Sequence, residues 1–207
     1  LEHPDLLWYF PIKRPASKGS RERDLEALEE MRLEIITQTR EQPLRPSYSE
    51  GPLGLHLGTV RNLKREAARG PGIATRRVFL LTEAQELVSQ DASPEAANAL
   101  LKLLEDLLPN RWFVLTSSEP GRLLPTMRSR TTSLYMPTLS DVQVREFLAR
   151  HSEASETDIE KAASLSGGAI GRALGYLPSD REPGPLERIR QEAFHLLRAA
   201  LSPQPAE

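Results

Sequence analysis

The residues able to do chemistry fall into a few clusters. A basic one runs through Arg61, Lys64, Arg65, Arg69, Arg76 and Arg77. A local stripe of this kind suffices to neutralise phosphates, because such affinity comes largely from released counterions. Arg61, Lys64, Arg65 and Arg69 can share a broad helix face, which makes them candidate contacts to a nucleic-acid backbone. The alternative is a solvated helix whose charge Glu66 breaks up. No aromatic residue is interleaved, so stacking on single-stranded bases is not expected. Thr82 and Glu83 follow an apolar run and bring a hydroxyl and a carboxylate to the end of a strand. They also read as residues that merely close it. Arg128 and Arg130 flank Ser129 at a helix end, where cations are favoured in any case.

Other chemistries find no support. His3, His56, His151 and His195 are scattered without metal-ligand spacing, and there is no cysteine for a thiolate site or a disulfide. No nucleophile elbow occurs. Gly51, Gly54 and Gly58 lack the lysine of a phosphate loop, and Gly70-Pro71-Gly72 reads as a turn. With 27 basic and 29 acidic residues the net charge is −2, which argues against indiscriminate nucleic-acid binding. No apolar run approaches the roughly 20 residues of a membrane span. Leu1-Glu2-His3-Pro4-Asp5 has neither the basic start nor the apolar stretch of a signal peptide. The expected setting is a cytoplasmic protein whose given sequence starts inside a longer chain.

Positioning these residues requires alternating elements. Leu6–Phe10 reads as a strand and Ile12–Gly19 as a loop. Ser20–Thr39 reads as a charged helix, more a solvated insertion than a docking site, and Gln42–Gly58 as a connector. Val60–Ala68 is a short basic helix. Arg77–Leu81 is a buried strand of a parallel sheet. Ser93 caps a helix that starts at Pro94 and buries Leu100, Leu101, Leu103, Leu104, Leu107 and Leu108. Trp112–Leu115 is a strand with Trp112 in the core, Leu123–Arg128 a short helix and Thr132–Met136 a further strand. After Pro137 the pattern is helical only. Ser140 with Gln143, and Thr157 with Glu160, predict capping boxes, and Gly167-Gly168 separates two helices. Pro185–Leu201 is amphipathic, with Leu186, Ile189, Ala193, Leu196 and Ala200 on one face, before a loose tail over 202–207.

The order of motifs from Arg77 to Thr131 carries a resemblance. Val78-Phe79-Leu80-Leu81-Thr82-Glu83-Ala84 is followed by Asn98-Ala99-Leu100-Leu101-Lys102-Leu103-Leu104-Glu105. Then come Phe113-Val114-Leu115-Thr116-Ser117-Ser118-Glu119-Pro120 and Leu123-Leu124-Pro125-Thr126-Met127-Arg128-Ser129-Arg130-Thr131. Together these resemble the AAA+ clamp-loader subunits of bacterial DNA polymerase III, most of all the delta-prime pattern. His3-Pro4-Asp5 sits where that pattern has a similar triplet.

The resemblance implies an α/β fold: an incomplete AAA+ parallel sheet of the P-loop NTPase kind over 1–137, then an all-helical lid over 138–178. The helix within 179–207 is a candidate start of a collar domain. Thr82 stands where active members carry the metal-holding Asp of the Walker B strand, so Thr82 and Glu83 form a degenerate site. Ser117 and Ser118 are sensor-like. The second sensor position falls on Gly171, and Arg172 is one helical step, about 100°, away. Arg130 matches the arginine finger given in trans to a neighbour's ATP site, with Thr131 in place of the usual cysteine.

The implied role is that of a stator in a hetero-oligomeric loader for DNA replication. Such a subunit hydrolyses no ATP itself; ATP and Mg²⁺ are bound by neighbouring subunits, and this chain holds no cofactor or metal. The implied partners are the gamma/tau motor subunits, delta, the sliding clamp and primed DNA, with no membrane. The phosphate loop and a four-cysteine zinc module would lie upstream of Leu1. An active gamma/tau-like motor subunit, and a non-catalytic helical adaptor with an AAA+ remnant, are the alternatives.

Overall fold

The structure is a computed structural model and describes residues 3–13, 21–41, 43–44, 52–88, 94–106, 108–179 and 182–201. In chain order the elements are β1 (Leu6–Tyr9), β2 (Ile12–Lys13), α1 (Arg21–Glu41), β3 (Leu53–Gly54), α2 (Leu57–Ala68), β4 (Arg77–Leu81), α3 (Pro94–Glu105), β5 (Arg111–Leu115), α4 (Pro125–Arg128), α5 (Asp141–His151), α6 (Glu156–Ser166), α7 (Ile170–Tyr176) and α8 (Pro185–Leu201). The chain divides into two compact units, 1–40 with 49–134, and 41–48 with 135–207.

The first unit is built on a parallel sheet of order β1-β4-β5, with Leu6 opposite Val78 and Val78 opposite Trp112. Alternation along the strands sorts side chains onto two faces. Tyr9, Phe79 and Leu81 are fully buried and pack with Val60, Leu63, Leu100 and Met127 in the main core. Phe79 and Phe113 stack at 4.9 Å across the two strands. Burying a side chain of this size contributes roughly 1.5–3 kcal/mol. The opposite face carries Trp112 and Val114, which are 53% and 45% exposed. Trp112 is therefore not a core residue: strand alternation puts it on the face opposite Phe113, and the Arg76 guanidinium stacks on its ring, at 4.7 Å.

Several local expectations need correction. Thr132–Met136 forms no strand, and Leu134, Tyr135 and Met136 are each more than 80% exposed. A strand exists only where its backbone groups find a ladder, and no strand among the described residues pairs with this segment. The segments read as a loop and a connector contain β2 and β3, which pair antiparallel, Ile12 opposite Gly54. The charged helix is α1, and its inner side is not solvated: Leu28 and Ile36 pack with Phe10, Ile12 and Trp8 in a second small core. α3 ends at Glu105, which leaves Leu108 exposed. The helix expected over 123–128 begins only at Pro125. Ser93, Leu107, Gly51 and the tail 202–207 lie outside the described residues.

The second unit is helical. Val144, Leu148, Ile159, Ala162, Ala163, Ala173 and Leu177 form its core. Ser140 and Gln143 make the expected capping box on α5. On α6 the cap is instead Ser155, whose hydroxyl accepts from the Asp158 amide; Thr157 lies inside the helix. Gly167 and Gly168 both have positive φ, at 60° and 80°. A Cβ at Gly168 would collide with the Leu139 carbonyl, so this sharp turn requires glycine. Glu187, at the start of α8, is buried and takes hydrogen bonds from Lys161, Arg190 and Gln191. The Arg190 bonds, more than the others, hold its pKa down at about 2. Leu186 and Arg190 are half-buried, and α8 from Gln191 to Leu201 is exposed, Leu196 and Leu201 included, as is Ile189. No helix of the described residues is long and apolar enough to cross a membrane.

Candidate functional site

The carboxyl ends of β4 and β5 lie side by side because the strands are parallel and in register, Leu81 opposite Leu115. Open α/β sheets hold ligands at this end. Thr82 and Glu83 leave β4 where Thr116, Ser117 and Ser118 leave β5. The Thr116 amide donates to the Leu81 carbonyl (2.8 Å), and the Ala84 amide to the Thr116 carbonyl (2.9 Å). Glu83 has φ of 52°, a left-handed backbone that costs a non-glycine residue of order 1 kcal/mol or more.

The side chains close into one polar cluster. Ser117 Oγ donates to Gln85 Oε1 (2.7 Å), and the Gln85 amide nitrogen donates to Ser118 Oγ (3.0 Å) and to the Glu83 carboxylate. Ser118 Oγ donates to the same Glu83 oxygen (2.8 Å). The Trp8 indole N–H donates to Thr82 Oγ1 (3.1 Å). One carboxylate already hydrogen-bonded twice and one hydroxyl already engaged by an indole make a poor donor set for a hard divalent cation. Gln85, nearly fully buried, and Trp8 were not among the sequence candidates. Gln85 stands two residues from Glu83, a spacing that carries no pattern of its own.

Arg130 lies beyond α4, in a turn where its amide donates to the Met127 carbonyl (3.1 Å) and the Thr131 amide to the Arg128 carbonyl (3.4 Å). Its guanidinium is held twice: Nη1 donates to the Thr126 carbonyl (2.9 Å) and Nη2 to a Glu105 carboxylate oxygen. The side chain remains 34% exposed. Thr131 Oγ1 donates to the Met127 carbonyl (3.2 Å), which tightens the same turn.

The basic cluster separates into different roles. Arg61, Lys64 and Arg65 are exposed on α2, while Arg65 Nη2 donates to Asn62 (2.9 Å) and Arg69 pairs with Glu66 (2.9 Å). Arg77 does not belong to this surface. It is buried, pairs with Glu66 (2.7 Å) and donates to the Gly70 carbonyl (3.1 Å). In the helical unit, Gly171 and Arg172 lie on α7, with Arg172 exposed. No cluster of three or more metal-ligating side chains exists among the described residues.

The opposite end of the sheet is also charged. Asp5, 2% exposed, accepts the amides of Gly72 (2.6 Å), Ile73 (2.8 Å) and Ala74 (2.8 Å). These amide hydrogen bonds, led by that of Ala74, lower its pKa from 3.8 to about 2. Arg111 Nε donates to the Ala67 carbonyl (3.0 Å) at the end of α2, where a cation suits the helix dipole.

A family model described as "DNA polymerase III, delta subunit" matches residues 2–140. The DNA polymerase III subunit delta' of Escherichia coli (strain K12) is 33% identical over 137 residues, covering 66% of this chain and 39% of that protein. The subunit delta' of Pseudomonas aeruginosa is 34% identical over 128 residues, covering 61% and 37%. The chain thus spans about two fifths of the length of these curated relatives. Among solved structures, a DNA polymerase III gamma subunit-related protein from Thermotoga maritima aligns over 83% of this chain and 66% of its own, at 16% identity and a TM-score of 0.41.

Proposed function

The chain belongs to the DNA polymerase III delta-subunit family, and on that premise we propose that it is a delta-prime-like stator of a replication clamp loader. In this reading it presents Arg130 to the ATP site of an adjacent gamma/tau-like subunit and hydrolyses no ATP itself. ATP and Mg²⁺ are held by the neighbours, and the assembly, with delta, opens the sliding clamp on primed DNA in the cytoplasm. The observation that carries the reading is Arg130. It lies within the family-matched stretch, in a turn fixed by backbone hydrogen bonds, partly exposed and with its guanidinium already oriented. A guanidinium so placed can offset charge that develops on a transferred phosphoryl group.

The state of Thr82 and Glu83 supports the passive half of the proposal. The Thr82 hydroxyl serves the Trp8 indole, and the Glu83 carboxylate serves Ser118 and Gln85. Arg61 and Lys64, exposed on α2, are the proposed contacts to the DNA backbone, with Arg65 and Arg69 beside them. The exposed apolar residues of α8 favour a helical partner in the same assembly, as a collar would supply.

The test uses the full-length protein mixed with motor subunits, delta, clamp and primed DNA. Arg130→Ala is expected to cut DNA-stimulated ATP hydrolysis at the served site by on the order of a thousandfold, with assembly intact. An unchanged rate removes the finger. A wild-type protein that joins no loader favours the adaptor alternative.

A further inference from the structure

Arg130 is not a free surface arginine. Its two terminal nitrogens are fixed by groups from different elements, the Thr126 carbonyl of α4 and the Glu105 carboxylate at the last residue of α3. A guanidinium has five N–H donors in a rigid plane. Two are used here, one on each terminal nitrogen, and the plane is thereby set while three donors remain for an anion. An arginine side chain otherwise samples many rotamers, and ordering it costs free energy at the moment it is needed. The Glu105 carboxylate is itself 45% exposed, so the pair is too weak to trap the cation against a polyphosphate. It is strong enough to bias the rotamer.

We infer that Glu105 is a positioning residue, acting through Arg130 to hold the guanidinium ready for an anionic phosphoryl group of the neighbouring subunit. This rests on the finger reading above. Glu105 touches no substrate, and its effect belongs on the rate of the step that Arg130 assists rather than on nucleotide binding. Double anchoring by a carbonyl and a carboxylate separates Arg130 from Arg128, for which the structure gives no side-chain partner among the described residues.

A double-mutant cycle in the assembled full-length loader tests it. Glu105→Ala is expected to lower kcat for DNA-stimulated ATP hydrolysis about two- to fivefold, the range of an exposed ion pair, with KM for ATP unchanged. Glu105→Asp should restore part of the loss. In an Arg130→Ala background, Glu105→Ala should do nothing further. The inference is overturned if the two losses multiply, since Glu105 would then act without Arg130, or if Glu105→Ala raises the rate, since the pair would then restrain the finger. Should Arg130→Ala alone leave the rate unchanged, the finger reading itself has failed and the role of Glu105 falls with it.

Discussion

The two ends of the β1-β4-β5 sheet use polar residues in opposite ways. At the amino ends each strand has a charged residue at or just before its start that bonds to backbone. Asp5 gathers three amides, Arg77 takes the Gly70 carbonyl and Glu66, and Arg111 takes the Ala67 carbonyl. At the carboxyl ends Thr82, Glu83, Ser117 and Ser118 bond mainly to one another's side chains, through Gln85 and Trp8. Buried charge bonded to backbone holds a fold together, because stranding it is costly. A partly exposed side-chain cluster can be altered without unfolding the unit. Charge alone therefore does not mark a site in this molecule: Asp5 and Arg77 at the amino end are buried against backbone, while Glu83 at the carboxyl end serves side chains.

Arg77→Ala is the strongest way to break this contrast. It leaves Glu66 with Arg69 as its remaining ion-pair partner, removes the donor to the Gly70 carbonyl, and should destabilise the unit by about 2 kcal/mol, read from denaturant midpoints. A loss as small as that of a surface residue would make the amino end no more structural than the other. Asp5→Asn comes next. Asparagine keeps one acceptor and turns an amide donor toward backbone donors, so neutral-pH stability should fall. The folded pKa of Asp5, about 2, lies below the ordinary 3.8, so its contribution is present above about pH 4 and is lost as the pH falls toward 2. The gap between wild type and Asp5→Asn should close across that window, and a gap independent of pH would show that the carboxylate's charge is not what fastens the loop. The smallest effect is expected at the other end. Glu83→Gln retains an acceptor for Ser118 and should move stability by less than about 1 kcal/mol. A larger change would place the carboxyl-end cluster among the structural charges.

The sequence shows these two ends unequally. Arg77–Leu81 is legible as a strand because the four consecutive apolar residues Val78 to Leu81 form a short continuous run after Arg77. α8 is legible from Pro185 to Leu201 through its helical period. Which side of a strand is covered is not legible. Trp112 and Phe113 are adjacent aromatics, yet Phe113 stacks on Phe79 while Trp112 faces outward, because coverage depends on helices placed elsewhere in the chain. Thr132–Met136 has strand composition, yet no strand among the described residues pairs with it. In the site, Arg130 and the pair Thr82–Glu83 stand out through motif order. Gln85, Trp8 and Glu105 do not, because their parts arise from approach in space, as from Trp8 to Thr82 across 74 positions.

Asp5 has one more consequence. By holding the Gly72 amide it joins points 67 residues apart, and β1 and β4 pair directly above that junction. The chain between them, α1 included, is a closed excursion whose two ends are fixed independently of its length. Closure entropy grows only logarithmically, about 0.6 kcal/mol per doubling. Closure itself therefore sets little limit on the length of this excursion; the limit comes from Val60 and Leu63 of α2, which belong to the main core, and from Leu28 and Ile36 of α1 in the second.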